Sequence, residues 1–348
     1  VVKLYVSSSS PGSVPTPFAS PASLAGYLPW RIVRDGGAPQ VEWIFGGGAR
    51  FTEPFLEDTL ARLRHAHPSA NARAARLRTP LEALRDLPSG VPLAGLIFHV
   101  SRCGSTLVAQ MLAALPQNIV AAEPPIFDDL LRTAAHDPRV TDDDRIAWLR
   151  GAVRSLGQPN AHGGARLFVK LDCWQIFSLP LLRRAFPGVP LAFVYREPLE
   201  VLASLVKRAS VTLIRGTVSP AQLGLAAAER DALSPAEHAA AILGSFFREA
   251  LRHRAHLTPL AYEDLPHRAL DAWPALTWSE ADRAAMLAAA ALDTKNPGQA
   301  FTPDAAAKRA AAPPALAAAC ARWASPPYRA WLRALAADYG RSAATDRA

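Results

Sequence analysis

Between residues 93 and 263, short and almost wholly apolar runs alternate with stretches whose hydrophobic positions recur at helical spacing. The runs are LAGLIFHV (93–100), NIVAAE (118–123), RLFVKL (166–171), PLAFVYR (190–196) and a stretch around LTPLAYE (257–263). None alternates apolar with polar, as a strand with one wet face would, so each reads as a strand covered on both faces. Strands of that kind separated by helices predict an α/β fold built on a parallel sheet of the P-loop type, flanked by helices.

Upstream the rhythm differs. RIVRDGGAPQVEWIF (31–45) holds two apolar-alternating runs around DGGAP and predicts a hairpin, and FTEPFLEDTLARLRHA (51–66) predicts a helix with Thr52 or Glu53 near its cap. Residues 26–90 therefore read as an accessory β-hairpin and helix region ending in DLPSGVP, and residues 91–310 as the α/β domain. The alanine-rich text from about 270 onward is mostly helical, broken at Pro313 and Pro314, with residues 311–348 as a helical extension. Residues 1–25 are rich in Ser, Pro and Ala and read as a loose arm, its first residues VVKLYVSSSSPGS as a trimmed or appended tail. No repeat of fixed period runs through the chain.

Composition narrows the function classes. At 348 residues and 50% hydrophobic, the chain can bury a large core. No window approaches 18 apolar residues without a charge, and no basic stretch precedes a hydrophobic core at the N-terminus. Neither a membrane span nor a signal peptide is expected, and a soluble, cytoplasmic protein is. Cys103, Cys173 and Cys320 are odd in number and lack CxxC spacing, so reduced thiols are expected rather than a disulfide framework or a zinc site. The net charge of +8 would suit a polyanion, but the arginines are scattered through helical text rather than gathered in a block. A small anionic ligand is expected, and no nucleic-acid partner.

The anion has an obvious candidate site. In LIFHVSRCGSTLVAQMLAAL (96–115) an apolar strand ends in a small polar turn and a helix starts at once, which aims backbone N–H groups and a helix N-terminus at one point. A Walker loop would need GxxxxGK before Ser or Thr. Here the loop is shorter, has the single glycine Gly104, and carries Arg102 ahead of it in place of the lysine, with Ser105 and Thr106 in the first helical turn. The plainer alternative is a strand-to-helix turn with a serine cap.

SRCGSTL resembles the 5′-phosphosulfate loop of the sulfotransferases, above all the RSGTTL form of tyrosylprotein and many bacterial members. Three further segments match in order. YREPLEVLASL (195–205) is similar to the family's 3′-phosphate segment, with Arg196 and Ser204 eight residues apart; RLFVKLD places Lys170 26 residues before Arg196, an offset like that of the tyrosylprotein enzymes' catalytic lysine; and YEDL (262–265) looks like the element after the last core strand. The resemblance spans about residues 93–310 and leaves the first ninety uncovered.

The resemblance implies 3′-phosphoadenosine 5′-phosphosulfate as donor. Arg102, Cys103, Gly104, Ser105, Thr106 and Leu107 would hold its 5′ end, Arg196 and Ser204 its 3′-phosphate, and Tyr262 would lie near the nucleotide. Arg102 and Lys170 would brace the transferred group, so no metal is demanded. For the proton of the acceptor hydroxyl two carboxylates compete. Glu123 stands 21 residues after Arg102, where the tyrosylprotein enzymes have their base, and Asp172 stands where the cytosolic enzymes have a histidine. His99 and Cys103 read as packing residues beside the loop. Residues 294–309 read as a lid that brings Lys295 or Lys308 near a phosphate. A small molecule with a hydroxyl is the acceptor expected, with an ATP-dependent small-molecule kinase or a non-catalytic nucleotide binder as the alternatives.

Overall fold

In the computed structural model, which describes residues 24–74, 77–160, 162–207, 211–291 and 312–345, the chain opens with a small antiparallel sheet. β1 (Tyr27–Val33) and β2 (Gln40–Phe45) form the hairpin expected around DGGAP, with Tyr27 opposite Phe45 and Val33 opposite Gln40 and a one-residue shift in register between Pro29 and Arg31. The helices α1 (Leu56–Ala66) and α2 (Pro68–Ala74) follow, and then β3 (Arg78–Pro80) adds to the free edge of β2. Three residues are too few to show a period, so β3 had no signature in the sequence. The start of α1 also differs from expectation, because its N-cap is Phe55 rather than Thr52 or Glu53. Pro54 disfavours a helical conformation in the residue before it. The Glu53 carboxylate instead accepts from Thr59 Oγ1 at 2.6 Å and pairs with Arg62.

The five apolar runs become β4 (Leu93–His99), β5 (Asn118–Ala122), β6 (Arg166–Lys170), β7 (Leu191–Tyr195) and β8 (Thr258–Ala261). They form one sheet in the order β5-β6-β4-β7-β8, every pair parallel. All five residues of β5 and of β7 are buried, as two covered faces require. The helices in chain order are α3 (Ser105–Ala113), α4 (Pro125–His136), α5 (Asp142–Leu156), α6 (Leu179–Ala185), α7 (Pro198–Lys207), the short α8 (Pro220–Leu223) and α9 (Ala227–Ala232), α10 (Pro235–Arg252) and α11 (Glu280–Ala290). Capping boxes open four of them, pairing Thr141 with Asp144, Ser219 with Gln222, Ser234 with Glu237 and Ser279 with Asp282.

Pro313 and Pro314 start a helix as much as they interrupt the text. Pro313 is the cap and Pro314 the first residue of α12 (Pro314–Ala319), where a missing N–H costs nothing. A π-helical turn, Cys320–Ala324, leads into α13 (Ser325–Thr345). That turn presses on α10 so closely that a Cβ on Gly244 would stand 2.1 Å from the Trp323 carbonyl oxygen. From α13, Trp331 is fully buried and meets Phe193 and Tyr195 of β7 edge to face at 5.2 and 5.8 Å. Buried apolar side chains thus run as one core from Leu24 to Trp331.

The hairpin is fastened to the α/β layer by a half-buried carboxylate. The Ile32 N–H donates to Asp129 Oδ2 on α4 at 2.6 Å, and burial pushes Asp129 up to about 6. A folded value above the unfolded one stabilises at low pH, and that contribution is lost as pH rises through the interval up to the folded value. Measured against Asp129→Asn, the wild type should therefore lose stability between about pH 4 and pH 6, at up to about 1.4 kcal/mol per unit. Denaturant curves of the two proteins that stay parallel across this window would refute the assignment.

Candidate functional site

Among the described residues, those assigned to the anion sites and to the proton transfer gather at the carboxyl end of the sheet. Chain order reverses around β4, with β6 and β5 to one side and β7 and β8 to the other, and the crevice above such a reversal is where open α/β sheets hold ligands. His99 ends β4, Glu123 follows β5, Lys170 ends β6, Arg196 follows β7 and Tyr262 follows β8.

Between β4 and α3 the backbone takes an unusual path. Ser101 (φ 68°), Arg102 (φ 50°) and Gly104 (φ 88°) are all left-handed, a conformation free of steric cost only for the glycine. Gly104 is the N-cap of α3 and no side chain caps that helix, so the serine-cap reading does not describe the turn. The first-turn N–H groups belong to Ser105, Thr106 and Leu107. Gly104 also has no room for a side chain, since its Cβ would meet Leu265 at 2.8 Å and Tyr262 at 3.0 Å. The Cys103 thiol points inward, fully buried, donating to the Val194 carbonyl at 3.1 Å, and burial pushes it up.

The loop is tied directly to α7. Arg102 Nε donates to Ser204 Oγ at 2.9 Å, a contact between residues 102 apart in the chain. Arg196 is 3% exposed; its Nε donates to Glu200 Oε2 at 2.7 Å, and its guanidinium lies 3.8 Å over the Tyr262 ring. Tyr262 therefore touches both Arg196 and the flank of Gly104. Arg196 and Ser204, expected to hold one phosphate together, each have a partner within the chain: Ser204 accepts from Arg102, and Arg196 donates to Glu200. Glu200 had a visible signal, four residues from Arg196 in the first turn of a helix.

On the other side of β4, Lys170 is 1% exposed and its Nζ donates to Glu123 Oε1 at 2.5 Å. The Glu123 N–H donates to the Lys170 carbonyl at 2.6 Å, extending the β5–β6 ladder by one step before φ of 52° turns the chain away. Phe55, from the N-terminal region, lays its ring 4.9 Å from the Lys170 ammonium. Nothing in the sequence announced Phe55, because the hairpin's docking brings it there. Asp172 is buried as the cap of the 3₁₀ turn Cys173–Ser178, where it exchanges hydrogen bonds of 3.3 and 3.4 Å with Gln175. His99 Nε2 lies 2.8 Å from the Leu171 carbonyl and 3.6 Å from Glu123 Oε1, and its Nδ1 accepts from the Ser101 N–H at 3.0 Å.

Among the described residues, the non-glycine residues with positive φ are Ser101, Arg102 and Glu123. All three sit at this crevice. Such conformations cost on the order of 1–3 kcal/mol each and persist where surrounding structure overrides them, which is typical of functional sites. Lys295 and Lys308, with the expected lid, lie outside the described residues. No helix of the described residues is long and apolar enough to cross a membrane.

The chain matches no protein-family model and no curated protein. Among solved structures it is similar to a sulfotransferase domain from the curacin biosynthetic pathway, with 16% identity over 59% of this chain and 80% of that one at a TM-score of 0.37. A sulfotransferase of Mycobacterium avium is 14% identical over 66% of this chain and 76% of its own, TM-score 0.38. The sulfotransferase domain of the Synechococcus PCC 7002 olefin synthase is 16% identical over 68% and 89%, TM-score 0.34.

Proposed function

We propose that this protein is a sulfotransferase that moves a sulfuryl group from 3′-phosphoadenosine 5′-phosphosulfate to the hydroxyl of a small molecule. The observation that carries the reading is the clustering of left-handed Ser101, Arg102 and Glu123 around one crevice, with Arg102 bonded to Ser204 on one side and Glu123 to Lys170 on the other. The residues fit a ligand with an anion at each end. The first turn of α3, uncapped by any side chain, and Arg102 suit the 5′ end; Arg196, just ahead of α7, and Ser204, on its second turn, suit the 3′-phosphate. Tyr262, stacked on Arg196 and against Gly104, suits the nucleoside between them.

The donor, when bound, supplies the sulfuryl group. The chain's own part is charge, position and a proton acceptor. Lys170 and Arg102 carry fixed positive charge at the ends of neighbouring strands, and Glu123 is the carboxylate placed to take the acceptor's proton. Lys170 is almost wholly buried, with Glu123 and the Phe55 ring beside its ammonium, so the approach suits a slender hydroxyl-bearing group better than a broad protein surface.

Calorimetric titration tests the reading at its base. 3′-Phosphoadenosine 5′-phosphate should bind about tenfold or more tighter than ADP, which lacks the second anion, because a charge-assisted contact is worth about 1.5–3 kcal/mol. Equal binding of the two would leave Ser204 and Arg196 without their assigned purpose and would favour a kinase. Transfer should also persist in excess chelator, since Arg102 and Lys170 provide charge where kinases use magnesium. Activity abolished by chelation and restored by magnesium would contradict that assignment.

A further inference from the structure

We infer that His99 is a positioning residue that latches the anion loop with one ring nitrogen and braces the Glu123 side of the crevice with the other, an inference that rests on the sulfotransferase reading for its kinetic consequences only. His99 is 4% exposed at the last position of β4, the strand that separates the two halves of the site. The Ser101 N–H can only donate, so Nδ1, 3.0 Å away, is the acceptor and carries no proton. The remaining proton is on Nε2, which donates to the Leu171 carbonyl at 2.8 Å and faces Glu123 Oε1 at 3.6 Å. Both nitrogens are thus committed, one to each side.

The Nδ1 bond has a specific task. Ser101 and Arg102 are both left-handed, and the chain must be held there against the preference of L residues. The bond from the Ser101 N–H fixes the first of these residues and so aims Arg102 toward Ser204. On the other side, Leu171 follows Lys170 directly, so the Nε2 bond pins the end of β6 from which Lys170 reaches Glu123. Burial lowers the ring's proton affinity, Lys170 opposes a positive charge there and Glu123 favours one. The neutral ring is the form that makes both bonds.

Two amide substitutions separate the tasks. Asn carries its oxygen near the Nδ1 position and keeps an acceptor for Ser101; Gln reaches the Nε2 position and keeps a donor for Leu171. In His99→Gln the Ser101 amide should exchange its hydrogen about tenfold or more faster than in wild type and the donor KM should rise by about the same factor, with kcat lowered as well because Arg102 loses its aim. In His99→Asn the exchange and the donor KM should stay within about threefold of wild type, while kcat falls. Identical behaviour of the two variants in exchange, KM and kcat would reduce His99 to a packing residue and overturn the inference. In the unsubstituted protein, nitrogen NMR of the ring should report the neutral form protonated at Nε2; a proton on Nδ1 at neutral pH would overturn it without any variant. A wild type that binds no 3′-phosphoadenosine 5′-phosphate and transfers no sulfuryl group would sink the proposed function, while ring tautomer and amide exchange would still decide the role of His99.

Discussion

Glu123→Gln is expected to slow turnover by about 10²- to 10⁴-fold, the loss typical of a removed general base, while donor affinity stays near wild type. The amide is nearly isosteric and its oxygen can still accept from Lys170 Nζ, now 2.5 Å from the carboxylate, so the pair's packing survives and its proton-accepting capacity does not. Asp172→Asn should do far less to turnover. Asp172 is 7% exposed and occupied as the cap of the Cys173–Ser178 turn, so its loss should register as stability. Lys170→Ala should lower turnover whichever carboxylate serves, because it removes a cation from the crevice together with its bond to Glu123. If Asp172→Asn silences transfer and Glu123→Gln leaves it near wild type, the proton goes to the other carboxylate. If Lys170→Ala is harmless, the crevice is not the active site.

Arg102→Ala should reduce turnover by about 10²- to 10³-fold, as the removal of one preorganised donor does elsewhere. It should also weaken 3′-phosphoadenosine 5′-phosphate by about tenfold or more. Arg102 sits in the loop at φ 50° and its Nε is bonded to Ser204, so it links both ends of the proposed nucleotide site. Arg102→Lys keeps the charge but loses the planar fork that holds the Ser204 hydroxyl and an anion in one fixed geometry, so it should recover little. Ser204→Ala removes one hydroxyl from the 3′ side and should weaken the nucleotide less than Arg102→Ala does, with turnover at saturating donor near wild type. A lysine variant that works at the wild-type rate would show that charge alone suffices and that the Arg102–Ser204 bond is incidental.

The hairpin, the five strands and the loop helix were legible because each is written in consecutive residues. Apolar runs such as RLFVKL become strands wherever helices cover both faces, and β6 occupies Arg166–Lys170 within the expected 166–171. Placement of the singled-out residues followed from the same pattern: in a parallel sheet every strand ends on one side, so residues at five strand ends are gathered whatever their distance in the chain. The short β3 and the true start of α1 escaped, the first for want of length and the second because Pro54 delays the helix.

Who bonds to whom at the site was decided by the tertiary structure. The spacing of Arg196 and Ser204 said nothing of their partners within the chain: Ser204 takes its bond from Arg102, and Arg196 turns to Glu200 and Tyr262. Phe55 reaches Lys170 across more than a hundred residues because β1 docks on α4 through Asp129. Left-handed φ at Ser101, Arg102 and Glu123 is equally unreadable, since it runs against the local preference of those residues and is held by contacts such as the one to His99. Sequence alone determined the sheet, the loop and the end of the sheet where the candidate residues gather, because strand and turn preferences act over a few neighbouring residues. The pairing of Arg102 with Ser204, of Lys170 with Glu123 and of His99 with Ser101 and Leu171 came only with packing, because side chains choose partners by distance in space.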